Sequence, residues 1–125
     1  MVAIAGRDRY QLTLHAENLP NQGGRCFSIG KSSPYAIIKV TSGSNKGLTL
    51  GETEPILHEL SPEWTKTFFL EFSSSEVTNL EVTVMDYCNG DEPKWIGEAN
   101  FEATSVFQSP GRTSSDQIGR SDNSK

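Results

Sequence analysis

Hydrophobic and polar residues alternate with a period of two along most of the chain. The clearest segments are "YQLTLHA" (residues 10–16), "NLEVTVMD" (79–86) and "WIGEANFEA" (95–103). Successive side chains of a β-strand point to opposite faces, so this pattern predicts strands with one face buried against a second layer. A helix would require a period near 3.6, and no segment gives that pattern convincingly.

Three further segments are predicted to be strands. "YAIIKV" (35–40) is short and β-branched, and "EWTKTFFLEF" (63–72) alternates except at Lys66. "LTLGETEPILH" (48–58) is weaker, and Pro55 confines it to a sheet edge or a bulge. Together the segments predict an all-β fold, a two-layer antiparallel β-sandwich. The predicted core consists of Leu12, Leu14, Ile38, Trp64, Phe68, Leu70, Val82, Val84 and Phe101.

The length of 125 residues suits one domain. We expect an N-terminal segment at 1–9, the sandwich at 10–107 and a tail at 108–125. The tail, "SPGRTSSDQIGRSDNSK" from residue 109 on, is polar and is predicted to be disordered.

Charge and cysteine content narrow the function classes. The net charge of −5 argues against nucleic acid as a partner, because phosphate contacts need a basic face. No targeting segment is visible, which favours a cytoplasmic protein. Two cysteines are too few for a disulfide scaffold.

Several motifs, taken in order, resemble those of a C2 domain, with a weaker likeness to copines. They lie in "GKSSPYAIIKV", "LSPEWTKTFFLEF", "LEVTVMDY" and "KWIGEANF". The matching residues are Ala16, Leu19, Gly30, Ser32, Pro34, Tyr35, Pro62, Trp64, Asp86, Ile96 and Gly97. The resemblance implies a calcium- and lipid-binding β-sandwich, usually of eight strands. Since six or seven strands are predicted, an edge is left open or the chain is part of a longer protein.

The resemblance also implies a calcium site between the first and third loops, and this sequence departs from it. The family's acidic ligand positions are occupied by Phe27, Ser33, Cys88 and Lys94. Three acids remain nearby: Asp86, Asp91 and Glu92. Calcium needs about 6–8 oxygen ligands, so we expect no cofactor, or at most a weak calcium remnant at these acids. Calcium-dependent phospholipid binding through this partial site remains an alternative.

Loop one carries an apolar pair between basic residues, which suits an anionic membrane surface. These residues are Arg25, Phe27, Ile29 and Lys31, and loop three adds Tyr87 and Lys94. The leading hypothesis is therefore a peripheral membrane-targeting module with weak or no calcium dependence. Alternatively, Phe27 and Ile29 fold back onto the core. A further alternative is a protein-interaction domain that accepts a partner strand at an open edge.

Catalysis is not expected. A dyad of Cys88 with His58 is conceivable, but it lacks an orienting third group and an oxyanion motif. His15 lies on the polar face of its predicted strand, away from any candidate nucleophile.

The resemblance places Cys26 and Cys88 near the former calcium pocket. Two hypotheses remain open: two unrelated reduced thiols, or a disulfide that ties loop one to loop three where calcium ties them in relatives.

Overall fold

The computed structural model describes residues 7–20, 32–73, 76–88 and 92–103. Within these ranges the chain forms six strands. They are β1 (Arg7–Leu12), β2 (Pro34–Val40), β3 (Thr49–Glu52), β4 (Phe68–Ser73), β5 (Asn79–Asp86) and β6 (Lys94–Glu102). β1 pairs with β4, and the other strands form a four-stranded antiparallel sheet in the order β3-β2-β5-β6. The predicted antiparallel sandwich is confirmed.

The pairing of β1 with β4 continues beyond the regular strands. The Ala16 N–H donates to the Pro62 carbonyl at 3.0 Å, and the Leu19 N–H donates to the Leu60 carbonyl at 2.8 Å. Side-chain exposure alternates strictly from residue 11 to residue 16, as the sequence pattern predicts. Residues 11–20 therefore form one wall of the sandwich together with residues 60–64.

The core lies between the two sheets. All nine predicted core residues belong to it: six are fully buried, and three are partly buried and pack against the others. The partly buried three are Leu12, Leu14 and Phe101. Burial of Val or Leu side chains of this kind stabilises a fold by about 1.5–3 kcal/mol each.

Two strand boundaries differ from the prediction. β1 begins at Arg7, so the expected domain boundary at residue 10 falls inside a strand. β4 begins only at Phe68, because the Glu54 carboxylate accepts hydrogen bonds from the backbone N–H groups of Thr65, at 2.7 Å, and Lys66, at 3.3 Å. These bonds, led by the one from Thr65, hold the pKa of Glu54 below its ordinary value.

β3 is an edge strand, and it ends at Glu52, before Pro55. This agrees with the prediction that proline, which has no N–H to donate, restricts this segment to a sheet edge. In the part of the chain that the structure describes, no helix is long and apolar enough to cross a membrane.

Candidate functional site

The candidate site lies where β2 begins, β5 ends and β6 begins. Pro34, Asp86 and Lys94 are neighbours in register there. We term this the loop end, and its described residues are 32–34, 53–58, 86–88 and 92–94. The opposite end of the sandwich, the turn end, comprises residues 41–48 and 76–78.

Ser33 connects three segments of the loop end. Its N–H donates to Asp86 Oδ1 at 2.8 Å, and its carbonyl accepts from the Tyr87 N–H at 2.9 Å. Its hydroxyl oxygen accepts from the His58 N–H at 3.1 Å. His58 has a φ of 55°, so the chain turns sharply at this point. Ser33 thus holds the segments of Leu57 and Tyr87 beside the start of β2.

Asp86 is 1% exposed, and its second oxygen, Oδ2, has no hydrogen-bond partner among the described residues. Such a buried oxygen is a feature of a cation ligand, but the surroundings do not complete a site. Glu92 is exposed, and no group of three or more His, Cys, Asp or Glu residues that could hold a metal occurs within the described ranges. Since calcium needs about 6–8 oxygen ligands, the described residues do not fit it.

Cys88 is disulfide-bonded and 4% exposed. The only other cysteine in the chain is Cys26, which lies outside the described residues. Cys88 Sγ is 3.4 Å from the Asp86 carbonyl oxygen. A disulfide sulfur has no proton to donate, so this is a close contact rather than a hydrogen bond. The dyad of Cys88 with His58 would need a thiolate, which a disulfide-bonded sulfur does not provide.

Six predicted site residues lie outside the described residues: Arg25, Cys26, Phe27, Ile29, Lys31 and Asp91. The structure places Asp86, Tyr87, Cys88, Glu92 and Lys94 together at the loop end.

Two exposed apolar side chains lie at the loop end. Leu57 is 63% exposed and Tyr87 is 40% exposed. The sequence predicts Tyr87 as a contact residue but not Leu57, because the pattern of "LTLGETEPILH" predicts a single strand there. The signal that could have found it is the apolar residue two positions after Pro55, followed directly by the polar pair His58 and Glu59.

A groove opens beside this end. Its described lining residues are Tyr35, Glu52, Pro55, Tyr87, Cys88 and Pro93. Burial raises the pKa of the Tyr35 phenol above its ordinary value, and the negative charge of Glu52 raises that pKa further. The sequence does not predict that Tyr35 and Glu52 line one groove, because only the pairing of β2 with β3 brings them to one place.

Comparison with known proteins identifies relatives of this arrangement. The sequence profile of the C2 domain matches residues 12–118. Copine-A of Dictyostelium discoideum is 28% identical over 86 residues, which are 69% of this chain and 14% of the copine. Copine-C of the same organism is 31% identical over 91 residues, which are 67% of this chain and 17% of the copine. The chain thus spans less than a fifth of these relatives' length.

Solved structures share the fold. The human GIVD cytosolic phospholipase A2 superposes with a TM-score of 0.62 at 18% identity, over 80% of this chain and 14% of the phospholipase chain. A C2 domain of RIM from Drosophila gives 0.58 at 24% identity, over 75% of this chain and 74% of its own. Calcium-bound Extended-Synaptotagmin 2 gives 0.59 at 23% identity, over 81% of this chain and 35% of its own.

Proposed function

The chain belongs to the C2-domain family, and we propose that it is a non-catalytic module that docks on membranes containing anionic phospholipid. Docking uses the loop end and depends little or not at all on calcium. The parent protein is longer than this chain, as the small share of the copine relatives that it spans suggests. The domain acts in the cytoplasm and associates with the membrane surface peripherally. Because thiols are kept reduced in that compartment, the Cys88 disulfide would form there only under oxidising conditions.

The observation that supports this proposal most is the pair of exposed apolar side chains at the loop end. Leu57 and Tyr87 flank Ser33, whose hydroxyl and carbonyl oxygens accept hydrogen bonds from their two segments. Because a buried serine fixes both segments, the two side chains can enter a membrane together without costly rearrangement. Burying an exposed leucine in the acyl region favours binding by about 1.5–3 kcal/mol.

Basic residues supply the second attraction. Each Lys or Arg near an anionic surface contributes about 1 kcal/mol. Lys94 lies at the loop end, and Arg25 and Lys31 belong to the loop that precedes Ser32. With Phe27 and Ile29 in the same loop, apolar and basic residues together provide the two signals that stable peripheral binding needs.

Weak calcium dependence rests on the ligand set. Of the family's acidic positions, the loop end keeps Asp86, while Ser33, Cys88 and Lys94 stand where carboxylates would be required. Lys94 is the cross-strand neighbour of Asp86, so it brings a positive charge to the place where calcium would bind.

Vesicle sedimentation tests the proposal. We expect binding to phosphatidylcholine vesicles with about 20 mole per cent phosphatidylserine, weakened by salt and equal in chelator and in about 0.1 mM calcium. Leu57→Ser should lower the affinity about tenfold, which is about 1.4 kcal/mol. Leu48→Ser, at the turn end where Leu48 is 48% exposed, is the matched control and should bind like the wild type.

If Leu57→Ser and Leu48→Ser lose vesicle affinity equally, the loop end is not the membrane-binding surface. If vesicle binding strictly requires calcium and Asp86→Asn abolishes that binding, Asp86 is restored as a calcium ligand, together with Asp91 and Glu92. A Phe27→Ala, Ile29→Ala double variant that binds like the wild type would exclude loop one.

Protein interaction is the second candidate function, and the edge strand β3 favours it. β3 stands at the end of the strand order β3-β2-β5-β6 and ends shortly before Pro55. An edge strand of this kind can accept a partner strand. If the domain binds no vesicle of any composition, this second function becomes the leading one.

A further inference from the structure

The groove beside the loop end combines aromatic and acidic character. Tyr35 and Tyr87 contribute rings, Pro55 and Pro93 contribute apolar walls, and Glu52 is exposed. The groove is open to solvent and has a volume of about 240 Å³. That is below the roughly 300–1,000 Å³ of sites for drug-sized ligands, so the groove suits a group about the size of one lipid headgroup.

The register of the sheet decides which charges reach the groove. Tyr35, Met85 and Trp95 are neighbours across β2, β5 and β6, so their side chains share one face of the sheet. We term it the outer face, because the opposite, inner face packs in the core. Asp86 and Lys94 occupy the next position along their strands, and successive side chains alternate between faces. Lys94 therefore belongs to the inner face, and Glu52 is the charged residue among the described groove residues.

The rest of this outer face is also acidic. Glu81 is the ladder neighbour of Lys39, and Glu98 is the neighbour of Thr83 in the adjoining pair. Glu102 is the cross-strand neighbour of Asn79 on the same face, so with Glu52 four carboxylates share the face with one lysine. The charges of the described residues around the groove therefore favour a cation over a phosphate or carboxylate group.

We propose that this groove binds the quaternary ammonium group of a choline headgroup, presented by phosphatidylcholine in the membrane. The electron-rich faces of tyrosine rings attract cations, and quaternary ammonium groups are recognised in this way. A quaternary ammonium has methyl groups instead of N–H donors, so it loses no hydrogen bonds when it lies between apolar proline side chains. Glu52 supplies the compensating charge.

A metal ion or a primary ammonium fits less well. A hard metal ion needs several oxygen ligands, whereas Glu52 is the one carboxylate among the described lining residues. A primary ammonium, as in phosphatidylethanolamine, would lose hydration and find few acceptors between the prolines. The choice of a lipid as the source of the choline group rests on the proposed membrane-docking function, because the groove adjoins Tyr87 at the loop end.

The first arm of the test needs no membrane. Amide NMR of the oxidised domain is recorded with glycerophosphocholine and, in parallel, with glycerophosphoethanolamine. We expect saturable shifts at Tyr35, Glu52 and Tyr87 with the choline compound only. Equal shifts with both compounds, or none with either, would overturn the proposal.

The second arm compares vesicles that contain the same fraction of phosphatidylserine, with either phosphatidylcholine or phosphatidylethanolamine as the remainder. The wild type should prefer the choline vesicles about fivefold, which is about 1 kcal/mol. Glu52→Gln and Tyr87→Ala should each reduce this preference, while Tyr87→Phe should keep it because the ring remains. Glu81→Gln, on the same face but outside the groove, is the matched control and should leave the preference unchanged.

The two arms separate the failures of the two proposals. Strong binding without headgroup preference, unchanged in Glu52→Gln, overturns the choline groove and leaves membrane docking intact. Choline-specific NMR shifts without binding to any vesicle overturn membrane docking, and with it the lipid as the source of the choline group. Choline-specific shifts together with a headgroup preference that Glu52→Gln removes support both proposals.

Discussion

The two ends of the sandwich bury polar groups in different ways. At the turn end the Asn79 N–H donates to Ser42 Oγ at 2.9 Å, and Asn45 Nδ2 donates to the Glu71 carbonyl at 2.9 Å. Side chains there satisfy the chain's own backbone, as turn residues commonly do. At the loop end, Asp86 is buried with one carboxylate oxygen that no described residue satisfies.

The turn end has its own unsatisfied atom, but a less costly one. Thr78 Oγ1 is buried without a hydrogen-bond partner among the described residues and faces Gly43. A neutral hydroxyl in that position costs less than a carboxylate, which loses far more hydration on burial. The turn end can therefore be explained by folding alone, whereas at the loop end Asp86 has, besides its structural hydrogen bond from Ser33, a second buried oxygen that folding does not require.

The largest expected effect concerns the loop end. We propose that Cys88 pairs with Cys26, the only other cysteine, and that the bond ties loop one to loop three. The bond would close a loop of about 60 residues, so reduction should lower the free energy of unfolding by about 4 kcal/mol. Urea unfolding with and without dithiothreitol measures the change.

Thiol counting in denaturant without reductant provides the control and should find no free thiol in the monomer. Amide hydrogen exchange sharpens the comparison, because reduction should raise exchange at Tyr87 and Cys88 and leave residues 41–48 unchanged. Two free thiols in the oxidised monomer would disprove the pairing.

The next effect concerns the turn end. Gly43 has a φ of 91°, and a Cβ there would lie 2.8 Å from Thr78 Oγ1 and 3.1 Å from the Val77 carbonyl. Gly43→Ala should therefore destabilise the fold by about 3 kcal/mol, from backbone strain and the clash together. Gly47→Ala is the matched control, with a φ of 94° but no atom within 4 Å, and should cost about 1 kcal/mol. Equal losses in urea unfolding would show that packing against Thr78 does not matter.

The smallest effect separates two features of Asp86. Asp86→Ala removes the acceptor of the buried Ser33 N–H and should cost about 2 kcal/mol. Asp86→Asn keeps an oxygen for that bond and removes a buried charge, so the free energy of unfolding should change little or rise. If Asp86→Asn destabilises the domain as much as Asp86→Ala, the charge itself is structural, and the contrast between the two ends no longer holds.

Much of the fold could be predicted from the sequence because its signals are local. Alternation in residues 10–16 and 79–86 predicts which side chains face inward, since a strand has a period of two whatever its partners are. Pro55 predicts an edge because the missing N–H belongs to the residue itself. The start of β4 could not be predicted, because Glu54, more than ten residues away, binds the N–H groups that would otherwise extend the strand.

The candidate site divides in the same way. The sequence alone determined which charges are present: Lys94 and Ser33 replace carboxylates of the family pattern, and Asp86 remains. Only the tertiary structure decided which face each charge occupies. Pairing of β2 with β3 brings Tyr35 and Glu52 to one groove, and pairing of β6 with β5 directs Lys94 to the other face. The physical reason is that register between strands depends on contacts distant in sequence, which no local pattern encodes.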